Sequence, residues 1–512
     1  MGQGILPFEY VQVARQAGGT ALGGLPLFIE LAHASGLWAS VKRHVRVCSE
    51  EQGWTDEQMV MSLVMLNLAG GDCVDDIRVL EHDEGLCRVW RIGENRHLPL
   101  AERVAAVERF RRGRTRTLPS PTSILRFLGQ FHDAKEEASR VIGTAFIPAP
   151  NAALAALPSV NADLMEFAQS VSPQRRATLD MDATLVETYK KEALASYKGF
   201  RAYQPMNVYW AEQGLLLHTE FRDGNVPAGH QQLRVLKEAL KHLPDGVENV
   251  YLRSDTAGYQ WDLLHYCGRG DNERFGRIGF AVGCDVTAGF REAAVAVAPS
   301  DWHPVYRTVN GMRVKTDREW AEVCYVPEAS AERRDDPDYR FIAIREALAQ
   351  PSLPNLPEEQ LTLPFPTLEV AGEKETKTYK LFGLVTNLTW AGGKIVRWLY
   401  ERCGKSEEIH SVQKEDLAGG TLPSADFGAN AAWWHIMVLA LNLSAIMKRL
   451  VLGGEWANRR MKALRFLLIN LPGSFVRHAN RSYLKLSIDP ATFAELVAAR
   501  SRIAAMKRPP PS

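Results

Sequence analysis

Near residue 174 the hydrophobic pattern of this chain changes period, and that change limits the fold more than any other feature. From about residue 20 to 150 the apolar residues recur at helical spacing, whereas RRATLDMDATLVETY, beginning at Arg175, alternates and carries Thr, Leu and Val. Alternation sends successive side chains to opposite faces of a strand. PMNVYWA and LLLHTEF follow, joined by the short turn Glu212-Gln213-Gly214, so three consecutive strands are expected. A helical pattern over 230–242 stops at Pro244-Asp245-Gly246, and ENVYLRSD reads as a short buried strand. A helix over 261–267 and the strand RIGFAVGCDV complete the order β-β-β-α-β-α-β. Three hairpin-connected strands followed by alternation with helices predict a mixed sheet with helices on both faces, in an α+β or α/β multidomain protein.

The flanking regions read differently. Thr55 with Gln58 forms a capping-box signal, and the apolar run from Met59 to Leu68 ends at Gly70-Gly71. Ser120-Pro121-Thr122-Ser123 is a second helix start. Residues 287–375 carry Pro-containing loops and strand-like pieces and read as an inserted β-rich domain; YKLFGLVTN then leads back. Gly392-Gly393 opens one expected helix through KIVRWLYERCGKSEEIHSVQKEDL. At 512 residues the chain exceeds what one core organises. The expected division is a helical DNA-binding domain (1–150), a core in two parts (174–286 and 376–452), the insertion (287–375) and a basic C-terminal region (453–512).

A formal net charge of +1 hides a strong asymmetry. Residues 88–132 carry ten Arg against three Glu, and residues 451–512 carry eleven Lys plus Arg against three acids, so the remainder is strongly acidic. Separate cationic surfaces around an acidic centre suit a partner such as double-stranded DNA, whose phosphates draw Arg and Lys. Arg111, Arg112, Arg114 and Arg116, four arginines in six residues before a helix start, are the first candidates for that contact. Arg459, Arg460, Lys462 and Arg465 divide evenly between a DNA-tracking and a solvated reading. Seven scattered cysteines with no Cys-x-x-Cys pair indicate neither a disulfide framework nor a zinc site. The first nineteen residues lack an export pattern. The apolar stretch 433–447 reads as a buried core helix too short for a bilayer. A cytoplasmic, nucleoid-associated protein with no membrane partner is expected.

Sixty acidic residues guarantee that three can be chosen, so local setting must decide. Asp180 and Asp182 lie two apart in a β-patterned apolar segment, hence on one face, where a charge is costly without a partner. Asp255 follows the apolar run NVYL at the carboxyl end of a strand, where open α/β sheets keep their sites. On a continuous helix Tyr400, Cys403, Glu407 and Lys414 share one stripe. Carboxylate oxygens suit Mg²⁺ or Mn²⁺, and two such ions can drive phosphoryl transfer.

Taken in order, the helical front, LDMDAT, RSD, the insertion and LYERCGKSEEIHSVQK resemble the RNase H-like DDE transposases of bacterial insertion sequences, in the branch with a Tyr-Arg-Glu-Lys signature, and most closely the thirteen-eighty group. The resemblance implies Asp182, Asp255 and Glu407 as catalytic metal ligands, with Asp180 a competitor for Asp182 and Glu408 the ligand if the register slips by one. It also implies end-phosphate contacts from Tyr400 and Lys414. The position of the signature arginine holds Cys403, and Arg402, one residue earlier, is taken as its counterpart and as a further DNA contact. By resemblance the activity is cut-and-paste transposition through hairpinned ends, with two divalent ions and a homodimer joining two DNA ends.

Overall fold

The computed structural model describes residues 17–48, 53–109, 115–141, 143–309, 311–327, 339–348, 365–371, 376–479 and 481–506. They fall into two compact units, Met1–Arg140 with Pro148–Ser172 and Val412–Ser512, and Val141–Ile147 with Pro173–Ser411. The first unit is largely helical. Its Asp56–Ala69 helix begins with the expected capping box, Thr55 Oγ1 accepting from Gln58 N–H and Gln58 Oε1 from Thr55 N–H, and ends at Gly70 with φ +99°. Every residue from Asp56 to Leu68 is buried, as expected of a helix surrounded by others.

One of those neighbours is the helix Phe427–Ile446, extended as a π-helix over Met447–Leu452. It is longer than the sequence suggested, and on length and composition alone it would cross a membrane. Its apolar surface is instead buried against the helices Asp56–Ala69 and Ala152–Val171. Trp433 and Trp434 are core residues, and Trp433 Nε1 donates to Ala418 O at 2.7 Å.

A short strand, β1 (Gly19–Thr20), belongs to this unit. The second unit is built on a ten-stranded sheet. Strands β2 (Arg176–Ala183), β5 (Met206–Trp210) and β6 (Leu215–Glu220) form an antiparallel meander, with the two-residue pair β3 (Val186–Glu187) and β4 (Ala202–Tyr203) between β2 and β5 in sequence. On its other side β2 pairs in parallel with β7 (Asn249–Ser254), and β7 pairs in parallel with β8 (Gly279–Cys284). The observed order β6-β5-β2-β7-β8, with helices Gln232–Lys241 and Trp261–Arg269 in the crossovers, is the mixed sheet that the pattern predicted.

Strands β9 (His303–Val309), β10 (Met312–Val323), β11 (Arg340–Ala347), β12 (Thr367–Ala371) and β13 (Thr376–Thr386) extend this same sheet beyond β8 by antiparallel pairing. The helix Gly392–Tyr400 packs against the extension, burying Ile395, Val396, Trp398 and Leu399 with Ile342, Ile344 and Leu384. A Cβ at Gly392 would lie 2.2 Å from the Trp320 ring, so only glycine lets β10 approach the helix start. The chain then returns to the first unit, where β14 (Gly473–His478) and β15 (Arg481–Leu486) form a hairpin whose β14 edge pairs with β1.

Candidate active site

Strands β2 and β7 align Asp180 with Arg253 and Met181 with Ser254. Parallel partners share a face, so the next row brings Asp182 beside Asp255 at the carboxyl ends of adjacent central strands. The same face one row earlier carries an ion pair: Arg253 Nε and Nη2 donate to the two Asp180 oxygens at 2.6 and 2.8 Å, with both side chains under 5% exposed. The remaining Arg253 nitrogen donates to the Trp398 carbonyl at 2.6 Å and lies 3.6 Å from Glu401. Arg253 thus ties β2, β7 and the end of the Gly392–Tyr400 helix together. Asp180, the competitor for first ligand, has both oxygens taken.

Asp255 stands in the loop after β7, and its Oδ1 accepts from Ala257 N–H at 3.0 Å. Small neighbours make that turn fit. A Cβ on Gly258 would lie 2.5 Å from Ser254 Cβ, and one on Gly283 would press on the backbone of Asp255 and Thr256. Among the described residues the Asp255 carboxylate is therefore held by backbone rather than by a counter-ion.

Glu407 arrives by a route the sequence did not show. The expected single helix is broken: Gly392–Tyr400 ends in a turn over 401–404, and a second helix starts at Lys405. Gly404 at φ +80° is the reversal point, a conformation that side chains oppose. Glu407 then caps its own helix, its Oε2 accepting from Gly404 N–H at 2.5 Å. The stripe joining Tyr400 to Lys414 is consequently absent, and Lys414 belongs to a π-helix in the first compact unit.

The turn aims Arg402 at the aspartates. Its guanidinium reaches Asp182 Oδ2 at 3.2 Å and the Met181 carbonyl at 3.5 Å, while Nε is buried with no partner among the described residues. Burial pushes the Asp182 carboxyl up to about 6; Arg402 opposes this, and the charges of Asp255 and Glu407 add to it. Asp182 therefore feels the charge of two carboxylates distant from it in sequence. Among the described residues no group of three or more His, Cys, Asp or Glu is already closed around a metal position. The donors nevertheless fit a hard divalent cation, since they are carboxylate oxygens whose mutual repulsion a cation relieves.

A family model described as transposase DDE domain group 1 matches residues 9–508. The chain belongs to this family of DDE transposases. No curated protein matches it. Membership implies a DNA substrate and a transposition enzyme, and DDE transposases generally use divalent metals.

Around the transposase carboxylates the other expected residues scatter. The Tyr400 ring lies 5.0 Å from the guanidinium of Arg318, which also pairs with Glu346 at 2.8 Å. Arg111, Arg112 and Arg114 lie outside the described residues, and Arg116 Nε donates to the Leu118 carbonyl. Arg460 and Lys462 pair with Asp416, Arg459 with Glu455, and Arg465 donates to the carbonyls of Asn67 and Leu68. Each of these described cations has a partner within the protein. Sequence reasoning missed Arg253 and Arg318. For Arg253 a signal existed, because an arginine inside the apolar strand NVYLRSD demands a buried acid, and LDMD supplies one.

Proposed function

We propose that this chain is the transposase of an insertion sequence, which binds terminal inverted repeats, cleaves the element's ends and joins the freed 3′-hydroxyl to target DNA. The observation that carries the reading is the juxtaposition of Asp182 and Asp255 at the carboxyl ends of β2 and β7, with the charge of Glu407 reaching Asp182 from the helix that follows the turn. The strand order β6-β5-β2-β7-β8 supports an RNase H-like core, because it is the order and polarity of that fold. Asp182, Asp255 and Glu407 would hold two Mg²⁺ or Mn²⁺ ions, which activate the attacking oxygen and neutralise charge on the leaving one. Asp180 is left to Arg253 and Asp182 is the first ligand. Arg402 balances Asp182 before a cation does, and Tyr400 and Arg318 together offer a phenol and a guanidinium to an end phosphate. A homodimer bridging two ends, working on chromosomal DNA in the cytoplasm, completes the proposal.

The test uses the full chain with Mg²⁺ and a plasmid carrying its coding sequence and flanking DNA, with a second plasmid as target. Joined products from the wild type, absent from Asp182→Ala, Asp255→Ala and Glu407→Ala, are expected. Cutting without joining would leave a nuclease, and binding alone a non-catalytic DNA-binding protein.

A further inference from the structure

The geometry points to the outer face of the β14–β15 hairpin as a second DNA contact, one that grips the phosphate backbone of duplex DNA independently of the carboxylates. This rests on the reading of the chain as a DNA enzyme, and within the basic segment 451–512 it assigns the contact to residues other than Arg459 to Arg465. Register pairs Ser474 with Lys485, Val476 with Tyr483 and His478 with Arg481. Directly opposed residues share a face, so one side of the ribbon presents Lys485, Tyr483, Arg481 and His478. All four are exposed, and Tyr483 keeps 44% of its surface. Arg477, on the other face near the turn, is exposed as well.

Charge separates this surface from its neighbour in sequence. Arg459, Arg460 and Lys462 each have a carboxylate partner. Among the described residues no acid or hydrogen-bond acceptor meets the side chains of Arg477, Arg481 or Lys485, and the segment Gly473–Leu486 contains no Asp or Glu. A two-stranded ribbon has the width to lie along or in a DNA groove, and unpaired cations on it are free to displace counterions from phosphates. The competing explanation is edge protection, since β15 is a sheet edge and charged side chains discourage strand addition. Edge protection works with either sign of charge; phosphate binding works only with positive charge.

That difference defines the experiment. Binding of the full-length protein to a fluorescent random-sequence duplex is measured from low to moderate salt. Each phosphate contact contributes about 0.9 to the slope of log affinity against log salt, so Arg481→Gln with Lys485→Gln lowers the slope by about 2. Arg481→Lys with Lys485→Arg keeps the wild-type slope. Arg481→Glu with Lys485→Glu retains an edge charge and the wild-type unfolding transition, yet binds more weakly than the Gln pair. An unchanged slope in the Gln pair, or wild-type affinity in the Glu pair, overturns the assignment while leaving the strand-transfer reading intact. A loss seen only with anionic phospholipid vesicles, with DNA binding unaltered, also overturns it. If the wild type has no duplex affinity, both readings fall; if it binds with the hairpin-dependent slope but never joins DNA, only the strand-transfer reading falls.

Discussion

Two aspartate–arginine pairs sit two residues apart on β2, and they are built to opposite ends. Asp180 and Arg253 are both buried, joined by two hydrogen bonds, with the last guanidinium nitrogen also occupied. Asp182 and Arg402 meet through a single oxygen at 3.2 Å, the arginine Nε is unsatisfied among the described residues, and Asp182 keeps 22% of its side-chain surface. A complete pair has nothing to exchange. An incomplete pair beside two further carboxylates can trade its arginine for another cation. The same strand thus carries a structural lock and, one row nearer solvent, the carboxylate proposed as the first metal ligand.

The contrast breaks most easily at the lock. Replacing one partner of a buried ion pair strands the other charge and costs about 3–5 kcal/mol, so Arg253→Ala is expected to lower unfolding stability by that amount in a urea titration. Replacing both, as Arg253→Met with Asp180→Leu, is expected to recover much of the loss, because no charge is then left unpaired. A single substitution costing under about 1 kcal/mol would mean that the two rows do not differ as described.

The open pair is tested by pH. The Asp182 carboxyl is pushed up to about 6 by burial, with Asp255 and Glu407 adding to the effect of burial and Arg402 opposing it. As the proposed ligand Asp182 would bind a cation only when ionised, so divalent-metal affinity is expected to fall as pH drops through about 6, where an ordinary aspartate would hold to about 4. Removing the positive charge in Arg402→Gln takes away the largest interaction favouring ionisation and leaves only the backbone hydrogen bond at Ala183 on that side. The acid limb then moves to higher pH, by about one unit. Titration calorimetry with Mn²⁺ on both proteins checks the sign. A limb that moves to lower pH, or a wild-type midpoint near 4, contradicts the loose-pair description.

How much of this could be read beforehand depended on whether the deciding contact was local. Alternation in LDMDAT placed Asp182 on a strand and the apolar run NVYL placed Asp255 at the end of another; β2 holds Asp182, and β7 stops at Ser254, one residue before Asp255. Choosing between Asp180 and Asp182 was beyond the pattern, because residues two apart on a strand are equivalent until a partner from β7 distinguishes them. The same holds for β9 to β13: their sequences suggest strands, but that they extend the central sheet is decided by edge pairing across the gap between β8 and β13. Capping chemistry was the most legible feature, since Thr55 with Gln58 and Ser120 act within a few residues of themselves. The even division of Arg459 to Arg465 between a DNA-tracking and a solvated reading could not be resolved from the sequence, because Asp416, the partner of Arg460 and Lys462, is distant in sequence.

The smallest effect tests the least legible feature, the break that delivers Glu407. Gly404 has φ +80° with open space where a Cβ would stand, so a side chain there meets backbone strain and no steric clash. If Gly392 to Asp416 were one helix, Gly404→Ala would stabilise the protein by about 1 kcal/mol, as alanine does inside helices. At a left-handed reversal the same substitution costs about 1–2 kcal/mol, and Gly404→Asn costs less, because asparagine tolerates that conformation better than alanine. The experiment therefore turns on a sign. A destabilised alanine variant, with asparagine between it and the wild type in thermal unfolding, supports the broken helix; a stabilised one restores the continuous stripe from Tyr400 to Lys414 and removes the turn that points Arg402 at Asp182.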